Sequence, residues 1–182
     1  NSASFAIFAK EVIVEINTNL SPAFEGLHDI YIPSYRPTRQ PIPLTQIDER
    51  IGTQAIQIDP AKIVGIVFNN ELHDSPSTVT APDDETQSIA NHLIAFFEKE
   101  VETGRLPSNL GPLQAGIGSI ANAVLTGLKD SNFEDLIMYS EVLQDCTFEL
   151  IDAGKMKFAS GSSITLSAKY GEKVFNNIEQ YK

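Results

Sequence analysis

The sequence has little of what several classes of protein depend on. Its 182 residues include a single cysteine, Cys146, which excludes an intrachain disulfide framework and is typical of a reducing compartment. No apolar run approaches the roughly eighteen residues that a membrane span needs, and we expect no signal peptide. The composition therefore predicts a cytoplasmic protein, or one of the mitochondrial matrix if the source is eukaryotic, with no membrane partner.

Positive charge is also scarce. The 13 lysines and arginines face 24 aspartates and glutamates, which gives a formal net charge of -11. General nucleic-acid binders and proteins that bind anionic membranes rely on basic surface, so both classes are disfavoured, whereas a small anionic substrate remains compatible. The densest positive charge is Arg36 and Arg39, among prolines. They could meet a phosphate or carboxylate, but surface arginines in a connecting loop are the favoured interpretation.

None of the three histidines predicts a catalytic or metal site. His28 directly precedes Asp29, and residues 73–75 read His-Asp-Ser, but the side chains of a catalytic triad must converge from separate elements. Metal ligation would need a cluster of partners, which the sequence around His92 lacks. No histidine follows Cys146 to activate it, so we predict that Cys146 is a small buried residue rather than a nucleophile.

What the sequence does contain is an alternation of strand and helix patterns. This alternation predicts an α/β fold of open, mostly parallel sheets with flanking helices. Short apolar runs predict strands at residues 12–16, 55–58, 63–68, 113–115, 136–139 and 164–166. Apolar residues at helical spacing predict helices at residues 83–101, 119–129, 142–153 and 170–181.

The remaining stretches and faces can also be assigned. Five prolines between residues 17 and 52 predict a long loop, and small residues at 158–163 predict a shorter one. Residues 63–68 are almost continuously apolar, as in a strand covered on both faces. The helix at 83–101 is predicted to turn one apolar stripe to the core, formed by Ile89, Leu93, Phe96, Phe97 and Val101.

The segment from 113 to 145 organises the rest of the chain. Its order is strand, glycine turn at 116–118, helix and second strand, which makes the two strands parallel neighbours. The turn and the pair Ser140-Glu141 are then predicted at carboxyl ends of strands, where open α/β sheets bind ligands. Backbone N–H groups at the helix N-terminus, with glycines that permit close approach, make the turn a candidate binding site.

Three interpretations fit this spacing. In the first, Gly116, Gly118 and Ala121 form the dinucleotide fingerprint G-x-G-x-x-A, and Glu141 binds a ribose hydroxyl. In the second, Glu141 is a nucleophile and amides of the turn form an oxyanion hole for acyl transfer. In the third, the glycines only let a strand turn into a helix and the glutamate is solvated. The spacing alone does not choose between them.

Longer stretches resemble one family. The string PLQAGIGSIANAVLTGL at 112–128, followed by MYSEVLQD at 138–145, resembles the acetyl-CoA hydrolase/transferase family, also called the family I CoA-transferases. Residues 10–33, 51–70, 81–110 and 152–167 resemble the same family in the same order. One departure is Ser75, where many members have an arginine suited to the phosphates of coenzyme A.

The resemblance implies roles for individual residues. Glu141 matches the glutamate that attacks an acyl-CoA thioester, and Ile117 matches the residue whose amide contributes to the oxyanion hole. The turn that contacts coenzyme A comprises Gln114, Ala115, Gly116, Ile117 and Gly118. The implied function is transfer of coenzyme A between an acyl-CoA and a small carboxylate, such as acetate or succinate, through a glutamyl-CoA thioester. The alternative within the family is hydrolysis of acetyl-CoA.

The resemblance also implies an organisation. Residues 1–80 would be the C-terminal part of a first CoA-transferase α/β domain, and residues 81–182 the N-terminal part of a second, so we expect an internal fragment. Acyl-CoA and small carboxylates would be the partners, with no permanently bound cofactor, no metal and no nucleic acid, and the full-length protein would be a homo-oligomer. A later family segment of the form GGSGDF, which supplies the opposing oxyanion donor, does not occur in these residues.

Overall fold

The computed structural model describes residues 2–35, 37–70 and 82–182, and the chain is α/β as predicted. It forms two compact units, one of Asn1–Asp74 with Phe175–Lys182 and one of Ser75–Val174. Each unit carries a parallel sheet of its own. The assignment of residues 1–80 and 81–182 to parts of two family domains stays a prediction.

The first unit is built around two strands. Helix α1, Ser2–Phe8, leads into β1, Val12–Asn17, which pairs in parallel with β2, Ile63–Asn69. Between the strands the chain is irregular, as the prolines predict, apart from two short 3₁₀ turns at Pro22–Phe24 and Pro60–Lys62.

Two predictions for the first unit are wrong. Residues 55–58 form no strand, because the carbonyl of Ala55 accepts local hydrogen bonds from the side chains of Thr53 and Gln57, at 2.7 and 3.3 Å. Strand β2 is not covered on both faces, since most of its large apolar side chains are more than half exposed within the described part of the chain. These side chains are Val64, Ile66, Val67 and Phe68.

The second unit carries three parallel strands in the order β3-β4-β5. In chain order its elements are α2 (Asp84–Glu102), β3 (Pro112–Leu113), α3 (Ser119–Lys129), β4 (Leu136–Leu143), α4 (Asp145–Asp152), β5 (Met156–Ile164) and the start of α5 (Ala168–Asn176). Its core includes fully buried side chains of α3, β4 and α4, namely Leu128, Leu136, Met138 and Leu150. No helix in the described ranges is long and apolar enough to cross a bilayer.

Helix α2 packs through a different face from the predicted one. Its buried positions are Thr86 and Ala90. Ile94 lies so close to Gly127 of α3 that a Cβ added to the glycine would come within 2.3 Å of the isoleucine Cδ1. Part of the predicted inward stripe is exposed instead, namely Ile89, Leu93 and Phe96. Helix α2 is apolar over a wide arc, and the glycine of α3 decides which part of that arc is buried.

The largest error in the second unit concerns β5. Residues 158–163 are strand rather than loop, and the predicted strand at 164–166 overlaps β5 only at residue 164. The glycine of this stretch is required by pairing, because Gly161 lies opposite Ser140 and an added Cβ would stand 2.8 Å from Leu143 Cγ. The last predicted helix also divides, since α5 ends at Asn176 and a 3₁₀ turn, Ile178–Tyr181, follows.

Candidate active site at the glycine turn and Glu141

Parallel register brings the glycine turn and Glu141 to the same end of the second sheet. Leu113 of β3 pairs with Met138 of β4, so Gly116 and Glu141 each lie three residues beyond this pair. The predicted strand end at residue 139 is wrong, because β4 continues to Leu143 alongside β5. Glu141 therefore lies past the part of β4 that pairs with β3, but within the part that pairs with β5.

Two side chains join the turn to β4 and to the start of α4. The Ser140 hydroxyl donates to the carbonyl of Ala115 at 2.9 Å, and Gln144 Nε2 lies 3.5 Å from the carbonyl of Gly116. Gln144 is 8% exposed. Sequence reasoning missed both contacts. The available signal was a glutamine between an apolar strand and an apolar helix, in a position where a buried amide needs a partner.

The backbone of the turn is open to a ligand. Gly118 precedes the first turn of α3, and no side chain caps this helix end. Its leading N–H groups can therefore meet water or an anionic ligand, which the helix dipole favours. The side chain of Ile117 is 77% exposed. A Cβ added at Gly116 or Gly118 would meet no atom within 4 Å, so packing of the described residues does not require either glycine, although the φ of +159° at Gly118 favours glycine there.

The side chain of Glu141 is exposed on β4. Tyr139 and Glu141 are more exposed than Ser140 and Val142, which follows the alternation of side chains along a strand. The backbone carbonyl of Glu141 accepts a hydrogen bond from the Ser162 hydroxyl at 2.8 Å. Within the described part of the chain its carboxylate has no ion-pair partner. A carboxylate that no cation holds remains available to a substrate.

Cys146 is buried, as predicted. Its thiol is 5% exposed and lies 3.5 Å from Asn122 Oδ1 of α3. Burial is the main reason why the pKa of the thiol rises to about 11. The thiolate, which is the nucleophilic form, is therefore scarce near neutral pH.

The other polar residues singled out by sequence lie elsewhere or have structural roles. Asp29 accepts a hydrogen bond from the Gly52 amide at 2.6 Å, which fixes a loop. His92 is exposed on α2, with Nδ1 2.7 Å from the Ser88 carbonyl. No group of three or more potential metal ligands occurs among the residues that the structure describes. Arg39 is exposed, whereas Arg36 and residues 73–75 lie outside the described residues.

Comparison with known sequences gives a consistent result. No protein-family model matches the chain. It is 46% identical over 180 residues to an acetyl-CoA hydrolase of Eremothecium gossypii, and the aligned region covers 99% of this chain and 34% of that protein. It is 42% identical over 181 residues to the acetyl-CoA hydrolase of Saccharomyces cerevisiae, covering 100% of this chain and 34% of the relative. The chain thus spans about a third of the length of these relatives.

Solved structures show the same type of fold. RipA from Yersinia pestis superposes with a TM-score of 0.52 at 20% identity, over 91% of this chain and 35% of RipA. The E249A mutant of RipA gives a TM-score of 0.52 at 22% identity, over 90% of this chain and 34% of the mutant. Similarity at this level of identity shows that the α/β arrangement is shared, and nothing about individual residues.

Proposed function

We propose that the whole protein cleaves the thioester bond of an acyl-CoA, with Glu141 as nucleophile, because the chain is 42% to 46% identical to acetyl-CoA hydrolases over nearly its whole length. The observation that carries the proposal is this sequence similarity, which extends over nearly the entire chain. The names of the relatives favour hydrolysis over transfer of coenzyme A to a carboxylate, which was the main function that the family resemblance implied. Coenzyme A thioesters are then substrates, and no permanently bound cofactor is required.

The first chemical step uses the Glu141 carboxylate. One of its oxygens adds to the thioester carbonyl carbon, the carbon–sulfur bond breaks, and a mixed anhydride and the thiolate of coenzyme A result. Water then adds to the anhydride, which releases the acyl group as a free carboxylate and regenerates the Glu141 carboxylate. One proton of that water passes to the thiolate and the other to solvent. A carboxylate is a weak nucleophile, so orientation and stabilisation of charge must supply most of the rate.

The glycine turn would stabilise the charge that develops in each addition. Negative charge builds on the carbonyl oxygen, and the amide of Ile117, next to an uncapped helix N-terminus, is the proposed donor. Loss of one such donor typically costs about 3 to 4 kcal/mol of transition-state stabilisation. Contact between coenzyme A and the backbone of residues 114–118 would explain why a glycine stands at 116, where the protein surroundings leave room for a side chain, whereas the φ of +159° at Gly118 favours glycine by itself.

Covalent labelling of the full-length protein tests the nucleophile. After brief incubation with acetyl-CoA and acid quench, peptide mass spectrometry should find the added mass on the peptide that contains Glu141. Glu141→Gln should lower kcat by at least about a thousandfold, since an amide cannot form the anhydride. Glu172→Gln, at an exposed glutamate of α5, is the matched control and should retain full activity. A label on another residue, or an active Glu141→Gln variant, would refute the assignment.

Transfer to a carboxylate is the second candidate. In that reaction the thiolate returns to the Glu141 carbonyl of the anhydride, releases the first acid and leaves a glutamyl-CoA thioester, which a second carboxylate then resolves. The two reactions differ in how much coenzyme A they release as free thiol. With acetyl-CoA alone, a hydrolase releases coenzyme A continuously, whereas a transferase stops after about one acetate per site. Added succinate should give succinyl-CoA only if the protein is a transferase.

The dinucleotide interpretation receives no support from the relatives, and it is tested separately. A protein that bound a nicotinamide cofactor through Gly116, Gly118 and Glu141 would be stabilised thermally by that cofactor, through linkage of binding to folding. We expect a rise in melting temperature with coenzyme A and none with a nicotinamide dinucleotide. The reverse pattern would favour the dinucleotide site.

A further inference from the structure

The glycine turn is held by two contacts from one short stretch of chain. Ser140 donates to the carbonyl of Ala115 at 2.9 Å, and Gln144 Nε2 lies 3.5 Å from the carbonyl of Gly116. The acceptors are carbonyls of consecutive peptide units, and the donors lie on β4 and immediately after it. The two side chains therefore act on the two peptide planes that lead into Ile117.

Because peptide units are rigid, these two contacts also fix the directions of the neighbouring backbone N–H groups. A peptide unit is planar and trans, so its carbonyl and its N–H point in opposite directions. Fixing the carbonyl of Ala115 fixes the N–H of Gly116, and fixing the carbonyl of Gly116 fixes the N–H of Ile117. The latter N–H is directed away from the Gln144 nitrogen. A glycine turn has wide backbone freedom, and a rotated peptide would place a carbonyl where a donor is required.

We propose that Ser140 and Gln144 are positioning residues, which lock the amide of Ile117 in the orientation that binds the oxyanion. This inference rests on the proposed function and names residues that would serve it without touching the reacting atoms. The rest of the turn offers little competing restraint. No side chain caps α3, and neither Gly116 nor Gly118 would have a neighbour within 4 Å of an added Cβ.

The two contacts should differ in strength. The Ser140 distance lies in the normal range for a hydroxyl donor, whereas 3.5 Å is long for an amide donor. Gln144 is nevertheless largely buried, and a buried polar group without a hydrogen-bond partner costs more free energy than an exposed one. We expect Ser140→Ala to lower kcat by about ten- to a hundredfold, less than complete removal of an oxyanion donor, and Gln144→Met to lower it by a smaller factor.

The test uses the full-length protein and compares kcat with KM. An oxyanion donor acts in the transition state, so kcat should fall while KM for acetyl-CoA stays within about twofold. Ser140→Thr keeps a hydroxyl on a strand and should restore most of the lost kcat. Ser131→Ala is the matched control, because its hydroxyl also donates to a backbone carbonyl, that of Leu128 at 2.7 Å, away from the turn. It should match Ser140→Ala in any loss of melting temperature but keep kcat.

Each outcome decides one question. If Glu141→Gln is inactive while Ser140→Ala and Gln144→Met both keep kcat, the positioning role is wrong and the proposed function stands. A change in KM alone would also overturn it, since the turn would then only bind coenzyme A. If Ser140→Ala does not fold, the other two variants decide. Normal kcat in Ser140→Thr together with reduced kcat in Gln144→Met supports the positioning role. Normal kcat in both variants overturns it. If Glu141→Gln itself is active, the proposed function fails first.

Discussion

At the scale of single residues, glycines divide into those that the fold requires and those that a ligand would require. An added Cβ at Gly52 would lie 2.3 Å from the backbone carbon of Ile30, so this glycine is needed for folding. An added Cβ at Gly116 meets nothing within 4 Å, although the position belongs to the candidate site. The sequence alone does not distinguish these two glycines. The structure shows that one is needed for packing and that the other is not.

Alanine substitutions should expose this difference. Gly116→Ala should leave the free energy of unfolding unchanged or raise it by up to about 1 kcal/mol, because alanine restricts the unfolded chain. KM for acetyl-CoA should rise about tenfold, equivalent to about 1.4 kcal/mol, if coenzyme A approaches the backbone there. Gly52→Ala should destabilise by about 1 to 3 kcal/mol through overpacking. Thermal unfolding measures the changes in stability, and steady-state kinetics measures KM. An unchanged KM in Gly116→Ala would mean that coenzyme A does not approach the backbone at this residue.

The buried thiol makes a second prediction at this scale. The pKa of Cys146 is raised from 9.0 to about 11, mainly by burial, so the folded state favours the protonated thiol. The contribution to stability is fully present below pH 9 and is lost as the pH rises through 9 to 11, where the unfolded thiol ionises first. It amounts to about 3 kcal/mol at most.

A matched variant isolates the thiol from other alkaline effects. The free energy of unfolding of the unmodified protein should fall more steeply between pH 9 and pH 11 than that of Cys146→Ala. Turnover at neutral pH should be similar in the two proteins. Equal slopes would show that Cys146 ionises normally in the folded state, and loss of turnover in a folded Cys146→Ala protein would reopen the question of a thiol nucleophile.

At the scale of elements, local pattern predicted helices better than strands. Helix α3 has the predicted bounds, because its apolar spacing is uninterrupted and glycine precedes it. Strand β5 was missed, since residues 159–163 are alanine, serine and glycine, which have low strand propensity, and pairing with β4 overrides it. The contacts of Ser140 and Gln144 depend on strand register, which no single-strand pattern contains. The place of Glu141 and the turn at one end of the sheet was predicted from the βαβ order, and the choice among their possible roles came from the resemblance to a family.

Helix α2 allows a test of which apolar face matters. Ala90 is fully buried, and Ala90→Leu should destabilise the chain by about 1 to 3 kcal/mol through overpacking against its neighbours. Leu93 is 36% exposed on the other part of the arc, and Leu93→Gln should change the stability by less than about 1 kcal/mol. Chemical denaturation of the full-length protein measures both values. A larger loss in Leu93→Gln than in Ala90→Leu would mean that the predicted stripe, rather than the observed one, faces the core.

At the scale of the whole molecule, the sheet of the first unit is too small to support itself. Two strands form marginally stable sheets at best, and the side chains of Ile13, Val64, Ile66 and Phe68 are all more than half exposed in the described residues. The curated relatives are about three times as long as this chain. Additional strands and helices from a longer protein would bury these side chains, at a gain of about 25 cal/mol for each Å² of apolar surface.

We therefore expect the 182 residues, expressed alone, to lack thioesterase and CoA-transferase activity. Glu141 is exposed on its strand, and the turn contributes donors from one direction only, so water would reach the reacting atoms and half of the oxyanion hole would be missing. The exposed apolar strands should also bind a hydrophobic dye and promote association between copies. The assay compares the isolated chain with the longer protein, using acetyl-CoA alone and with succinate. Comparable specific activity in the isolated chain would show that the remaining two thirds are dispensable and that the active site does not lie at Glu141 and the glycine turn.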